Sequence, residues 1–174
     1  MFRAMDELIA LGYRRMGYVT SRDLEVRVNS LWGAAYRLHQ HRLAPADRIE
    51  PLEFAAEAEP RALQAWLAEN KPDAIVDALS NVYELLAELG VAVPRDLGFV
   101  HLDLPTHLKA AGVTGIDQLW ESVGGGAVEL IVNQLYTNAI GQPEHPVTHL
   151  IEGTWIDGQT VARPPAQATA RRKR

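Results

Sequence analysis

Segments with the apolar spacing of a helix alternate with short, almost wholly apolar segments, and this alternation constrains the fold more than any other feature. The spacing predicts helices at residues 1–11, 29–42, 59–70 and 81–89. The short apolar segments predict strands at residues 15–20, 49–54, 74–76 and 97–102. Such segments suit parallel strands that helices cover on both faces. The sequence therefore predicts an α/β fold with a doubly wound, mostly parallel sheet.

The last third of the chain has longer segments. Residues 113–116 are predicted to be extended, residues 117–137 to form a long helix, and residues 147–152 to form a strand. Gly124, Gly125 and Gly126 fall inside this helix, where each glycine costs about 1 kcal/mol relative to alanine. The three glycines indicate either close backbone packing or a helix that begins after them.

Charge is distributed unevenly along the chain. The formal net charge is −5, but the segment from Arg163 onward holds five basic and no acidic residues, which leaves −10 for the residues before it. A body this acidic repels phosphates, so it is not expected to bind duplex DNA by itself. Residues 161–174 are predicted to be a disordered basic tail, because Pro164, Pro165 and their neighbours cannot form a core.

Several classes of site and segment have little support. The absence of cysteine excludes disulfides, cysteine-ligated zinc and cysteine nucleophiles. No metal site is expected, because Pro146 lies between His145 and His149 and His39 and His41 lack nearby partners. No cofactor motif is present, since the three glycines are not followed by the Lys-Ser/Thr of a phosphate loop. No apolar stretch approaches the roughly 20 residues that a membrane span requires, and residues 1–15 do not resemble a secretory signal.

Six motifs, in order along the chain, resemble those of LacI-type bacterial transcription regulators. They are Leu11-Gly12-Tyr13 before a buried strand, an Arg-rich turn entering a helix at residues 22–36, Lys71-Pro72-Asp73-Ala74-Ile75-Val76, residues 89–97 leading to Phe99-Val100-His101-Leu102-Asp103, Ile116-Asp117-Gln118 opening a long helix, and Ile151-Glu152-Gly153-Thr154-Trp155. The resemblance covers roughly residues 1 to 160. It implies a type I periplasmic-binding-protein-like sensor lobe over residues 1–160.

The same resemblance implies which parts of such a regulator the sequence holds. The helix at 117–137 and the strand at 147–152 would belong to a second lobe that is partly missing. The DNA-binding helix-turn-helix would be missing as well, so operator DNA would be contacted only through that headpiece.

The implied function is sensing a small-molecule effector, a sugar or a related compound, in a cytoplasmic regulator. The lobe would also form homodimers, with the helices at 59–69 and 81–89 (Trp66, Leu85 and Leu89) and residues 104–108 as candidate surfaces. One alternative is a fragment of a transport-type sugar-binding protein. Another is a small α/β enzyme that uses His101 and Asp103, but no nucleophile with a positioned base is evident, so no enzymatic activity is expected.

Ligands of open parallel sheets bind at the carboxyl ends of the strands, and the candidate site residues lie there. Asp103 ends an apolar strand and matches the family aspartate that accepts hydrogen bonds from ligand hydroxyls; alternatively it caps the following turn. Asp77 ends the preceding strand and would bind ligand or cap the helix that begins near Asn81. The pair His101-Leu102 departs from the Gly-Tyr that usually precedes the aspartate.

Three further candidates complete the predicted ligand site. Arg27 resembles the family arginine that clamps ligand, with Arg22 as its rival and a surface salt bridge to Asp23 or Glu25 as the alternative. Trp120 aligns with a family aromatic that stacks on a sugar, although tryptophan at helical spacing is often a core residue. Phe54 is a weaker stacking candidate.

Overall fold

The computed structural model describes residues 1–79, 81–139, 141 and 145–162. Its helices are α1 (Phe2–Leu11), α2 (Arg22–Arg27), α3 (Leu31–His41), α4 (Pro60–Asn70), α5 (Val82–Glu88), α6 (Thr106–Ala110) and α7 (Trp120–Tyr136), with a 3₁₀ turn at Pro45–Asp47. Its strands are β1 (Met16–Ser21), β2 (Leu52–Phe54), β3 (Ala74–Asp77), β4 (Gly98–His101), β5 (Gly115–Asp117) and β6 (Thr154–Ile156).

The strands form one six-stranded sheet in the order β2-β1-β3-β4-β5-β6. All neighbouring pairs are parallel except β5 and β6, which are antiparallel. The helices that connect the parallel strands cover both faces of the sheet, as parallel pairing requires. The predicted α/β fold with a doubly wound, mostly parallel sheet is confirmed.

Two apolar clusters lie on opposite faces of this sheet because successive side chains of a strand point to opposite sides. On one face, Val19, Ile75 and Phe99 pack against α4 and α5. On the other face, Tyr18 and Val76 belong to the cluster that includes residues of α1 and α3. Every residue of β1, β3 and β4 is buried, which explains why these strands are nearly continuous apolar segments in the sequence.

Gly17 in β1 is required by the packing of α4. A Cβ atom at this position would lie 2.2 Å from Cη2 of Trp66. The indole ring therefore lies directly over the backbone of β1, and its Nε1 donates to the carbonyl of Glu50 at 3.1 Å. Trp66 is thus a core residue that joins α4 to the centre of the sheet.

The last strand does not lie where the sequence predicts it. Residues 147–152 form no strand, and β6 begins instead at Thr154, where Trp155 is in register with Ile116 of β5. Val147 and Leu150 are 75% and 89% exposed, so their apolar pattern has no strand to pair with in the described residues. The prediction of a strand at 147–152 is wrong because pairing with β5, and not local pattern, selects the strand.

The long helix near the carboxyl end forms as predicted but packs differently. None of the residues of α7 is buried. Trp120, Ile131, Leu135 and Tyr136 are 64%, 57%, 75% and 87% exposed. A Cβ atom on Gly124 or Gly125 would meet nothing within 4 Å. The helix begins at Trp120, before the three glycines. Close backbone packing therefore does not explain Gly124 and Gly125 in the described part of the chain.

The predicted tail begins slightly too early. Val161 packs against the cluster on the α1 face, and the backbone N–H of Ala162 donates to the Tyr13 hydroxyl at 3.0 Å. Residues 163–174 of the predicted tail lie outside the described residues.

Candidate ligand-binding site

The carboxyl ends of the parallel strands bring most of the candidate side chains to one edge of the sheet. β3 ends at Asp77 and β4 at His101, two residues before Asp103. β5 ends at Asp117, just before α7 begins at Trp120. The strands therefore place a carboxylate, an imidazole and an indole close together along this edge.

Asp103 and Trp120 form a direct contact at this edge. The Nε1–H of Trp120 donates to Oδ1 of Asp103 at 3.2 Å. Asp103 is partly exposed and Trp120 is 64% exposed, so both side chains remain open to solvent. In this chain Trp120 is not a core residue, and its ring is available for another molecule. Sequence reasoning named both residues but did not predict that they touch.

The loop between β5 and α7 fixes the start of this helix. Oδ1 of Asp117 accepts the backbone N–H of Leu119 at 2.9 Å, and Nε2 of Gln118 donates to the carbonyl of Leu102 at 2.7 Å. An ion pair with Lys109 lowers the pKa of Asp117 below its ordinary value. Gln118, which the sequence did not single out as a site residue, therefore ties the segment just before α7 to the residue preceding Asp103.

Asp77 is fully buried beneath the edge. Its Oδ1 accepts the backbone N–H of Leu79 at 2.8 Å, and its Oδ2 has no partner in the described residues. Burial raises the pKa of Asp77 well above its ordinary value. Asp77 thus caps the turn directly after β3 and not the helix that begins near Asn81, and a ligand would reach its carboxyl only if the edge opened.

His101 lies beside Asp77 in the sheet, since the two residues are in register on β4 and β3. The imidazole is 3% exposed, and its Nδ1 accepts the backbone N–H of Asp103 at 3.2 Å. Burial lowers the pKa of His101. The sequence identified this histidine as a departure from the family pattern but gave it no role in ligand binding.

Phe54 and Arg27 are placed apart from the contact between Asp103 and Trp120. Phe54 is 7% exposed and packs in the same apolar cluster as Val19, so the structure favours a packing role over stacking. Arg27 ends α2 on the surface and makes no ion pair within the described ranges. The expected alternative, a salt bridge to Asp23 or Glu25, is not formed among the described residues, and its rival Arg22 pairs with Glu53 at 3.6 Å instead.

A family model for the periplasmic binding protein-like domain matches residues 5–161 of the sequence. The chain belongs to this family. No curated protein matches the sequence.

Solved structures of LacI-family regulators are similar to this periplasmic-binding-protein-like domain in fold. One from Corynebacterium glutamicum has a TM-score of 0.66 and 23% identity, covering 92% of this chain and 64% of that one. A dimeric Lac repressor with an 11-residue C-terminal deletion has a TM-score of 0.71 and 16% identity, covering 93% of this chain and 60% of the repressor. A LacI family regulator from Enterococcus faecium with bound ribose has a TM-score of 0.66 and 14% identity, covering 94% of this chain and 62% of that one. The chain thus spans less than two thirds of these structures.

Glu25 is a buried residue of this domain whose position the sequence did not predict. It accepts hydrogen bonds from the Tyr18 hydroxyl at 2.6 Å and from the backbone N–H of Gly33 at 3.2 Å. A Cβ atom on Gly33 would lie 2.8 Å from Oε2 of Glu25, so the glycine makes room for the carboxylate. Glu25 therefore joins β1, α2 and α3, whereas the sequence placed it on the surface as a partner for arginine.

Two depressions in the described surface lie beside other residues than the candidates. One depression of 140 Å³ lies beside Tyr36 and Arg48, and another of 420 Å³ lies beside Tyr83 and Val93. None of the candidate residues lines either depression.

The described residues contain no group of three or more His, Asp or Glu side chains that could hold a metal ion. Among the described helices, none has the length and apolar character needed to cross a membrane.

Proposed function

We propose that this domain is the effector-sensing lobe of a LacI-type transcription regulator and that it binds a sugar or a related small molecule at Asp103 and Trp120. The hydrogen bond between these two side chains carries the proposal, because it holds a carboxylate and an exposed indole side by side at the ligand-binding edge of the sheet. The fold shared with LacI-family structures supports it.

The two side chains suit complementary parts of a sugar. The carboxylate of Asp103 accepts charge-assisted hydrogen bonds from hydroxyl groups, and Oδ2 is the oxygen that the Trp120 indole does not occupy. The face of the indole suits the apolar C–H side of a sugar ring. The ribose bound in the Enterococcus faecium structure supports this effector class.

The proposed activity is binding without chemistry. An acid–base mechanism through His101 would need its imidazole to reach a substrate. The imidazole is 3% exposed, and its Nδ1 accepts the Asp103 backbone N–H. This placement supports a binding domain over the α/β enzyme considered from the sequence.

The edge at Asp103 supplies only one wall of a site. In this proposal, α7 and residues 147–152 contribute to a second lobe, and the effector binds between the two lobes. The absence of any buried residue in α7 supports this assignment. Effector binding would then shift the arrangement of the lobes and, through it, the affinity of a separate headpiece for operator DNA.

A homodimer is also part of the proposal, and the dimeric Lac repressor supports it. Of the five apolar residues predicted for the interface, Leu89 is partly exposed and the other four are buried. Trp66 and Leu85 are each 8% exposed, and Leu104 and Leu108 are 5% and 3% exposed, all within the chain's own core. Sedimentation of the complete protein would measure the dimer, and a monomer at micromolar concentration would contradict it.

Calorimetric titration with D-ribose tests the binding site directly. We expect Asp103→Ala to weaken binding about tenfold or more, since it removes a charged hydrogen-bond acceptor. Asp157→Ala is the matched control, because Asp157 accepts the Trp155 indole N–H at 2.8 Å beside β6 and away from the proposed site. Unchanged affinity in Asp103→Ala would contradict the assignment of the site.

The regulatory part of the proposal is tested by sequencing the DNA upstream of the codon for Met1. An in-frame helix-turn-helix followed by α/β sequence would support a transcription regulator. A secretory signal in the same place would contradict it and indicate a transport protein.

A further inference from the structure

His101 is enclosed at the end of β4. It is in register with Asp77 on one side and with Gly115 of β5 on the other. Register neighbours in a sheet point to the same face, so the imidazole and the Asp77 carboxyl lie on the same side. That side carries the apolar cluster of α4, α5 and α6. The imidazole is therefore an interior polar group whose few hydrogen bonds determine its protonation state.

The hydrogen bond at Nδ1 defines the protonation of His101. Nδ1 accepts the backbone N–H of Asp103 at 3.2 Å, and only an unprotonated nitrogen can accept. This hydrogen bond requires a neutral imidazole with its proton on Nε2, an atom without a partner in the described residues. In this form the ring fixes the backbone of Asp103, whose carboxylate meets the Trp120 indole. A continuous path thus runs from His101 through Asp103 to Trp120.

The surroundings of His101 shift its pKa in opposite directions. Burial lowers its pKa most, the backbone of Leu79 and the carboxylate and backbone of Asp103 raise it, and His107 of α6 lowers it slightly. Asp77 faces it from β3, with Glu84 of α5 close enough to Asp77 to raise the pKa of that carboxyl. The neutral imidazole is thus the form present at neutral pH, and acid converts it to the imidazolium.

We propose that His101 is a positioning residue of the effector site, which holds Asp103 against Trp120 while neutral and releases it when protonated. An imidazolium carries N–H groups on both nitrogens, so Nδ1 can no longer accept the Asp103 N–H. The consequence for effector affinity rests on the proposed function, whereas the link from His101 to Trp120 does not.

The link is tested by NMR on the full chain, without ligand. The indole Nε1–H resonance of Trp120 is followed from about pH 8 to about pH 5, a range in which histidine titrates. We expect it to shift with the same midpoint as the ring carbons of His101. The indole of Trp155, which donates to Asp157, is the internal control and does not shift with that midpoint. A Trp120 resonance that stays constant while the ring carbons of His101 titrate overturns the proposal.

Two substitutions separate the hydrogen-bond acceptor at residue 101 from its change of charge with pH. His101→Asn keeps an oxygen acceptor near the position of Nδ1 but cannot titrate, so the Trp120 resonance stays near its neutral-pH position throughout. His101→Leu removes the acceptor, so the resonance lies near its acid position at every pH. Circular dichroism checks that each variant folds, and His101→Asn decides the question if His101→Leu does not. A Trp120 titration unchanged in His101→Asn overturns the proposal.

Two other histidines provide matched controls. His39 on α3 is 4% exposed and also has a pKa lowered by burial, but it lies away from β4 and β5. His39→Asn leaves the Trp120 titration unchanged. His107→Gln keeps the titration and moves its midpoint upward, because a positive charge near His101 is removed. Loss of the titration in His107→Gln would assign the effect to His107 and overturn the role of His101.

Titration with D-ribose then tests the consequence for binding. We expect the affinity to fall as the pH drops through the midpoint at which the Trp120 resonance shifts, by about tenfold well below that midpoint, the effect of one lost charged hydrogen bond, and to stay constant in His101→Asn. If Trp120 follows His101 but ribose binds neither above nor below that midpoint, the positioning role stands and the proposed effector class fails. If ribose binds through Asp103 with the same affinity above and below that midpoint, the proposed function stands and the positioning role is overturned.

Discussion

The central strands and α7 are both rich in apolar residues, yet they differ completely in burial. Every residue of β1, β3 and β4 is buried, whereas none of α7 is. The strands lie between α1 and α3 on one face and α4 and α5 on the other. No element of the described chain covers the outer surface of α7 in the same way. Apolar sequence thus predicts a buried surface, but the partner that buries it need not lie in the same part of the chain.

The largest expected effect is a difference in the free energy of unfolding between substitutions in the central strands and in α7. Phe99→Ala should lower the free energy of unfolding by about 3–5 kcal/mol, because the ring is fully buried and packs 5.2 Å from the ring of Tyr83. Ile131→Ala on α7 should change it by no more than about 0.5 kcal/mol. Urea denaturation followed by circular dichroism measures both. A similar loss in the two variants would show that α7 is covered in solution.

Glycine substitutions should have opposite signs in the two regions. Gly17→Ala should destabilise the domain by about 1–3 kcal/mol, because the new Cβ atom would lie 2.2 Å from the Trp66 ring. Gly124→Ala should stabilise it by up to about 1 kcal/mol, because the helix gains propensity and nothing lies within 4 Å. The shift of the thermal midpoint gives both signs. A destabilising Gly124→Ala would mean that another backbone approaches α7 there.

The sequence predicted the parallel part of the sheet because each strand is identified by local pattern. The segments at 74–76 and 97–102 are short and apolar because helices cover both of their faces. β6 was not predicted because its position depends on pairing with β5, about forty residues away, as Trp155 opposite Ile116 shows. Local alternation at 147–152 carries no information about that partner.

The candidate site could be predicted only where a local pattern identifies a residue. A strand that ends in Asp103 marks the ligand edge of a parallel sheet, so this residue could be found from the sequence. Helical spacing at Trp120 indicates an apolar face but not what covers it, so its exposure could not be found. The burial of Phe54 depends on the apolar cluster that it joins, and the burial of Glu25 depends on the fold of the chain back to Gly33.

The smallest expected effect on stability concerns the surface of α7 alone. Ile131→Lys places a charge where the side chain is 57% exposed, so the free energy of unfolding should change by no more than about 0.5 kcal/mol. The same change interrupts the apolar surface formed with Val128 and Leu135, so binding of an apolar fluorescent dye should fall. Glu129→Lys adds a lysine to the same helix without removing an apolar side chain and serves as the control. Dye fluorescence that falls equally in both variants would attribute the effect to charge, and the α7 surface would then not be the apolar surface that the dye detects.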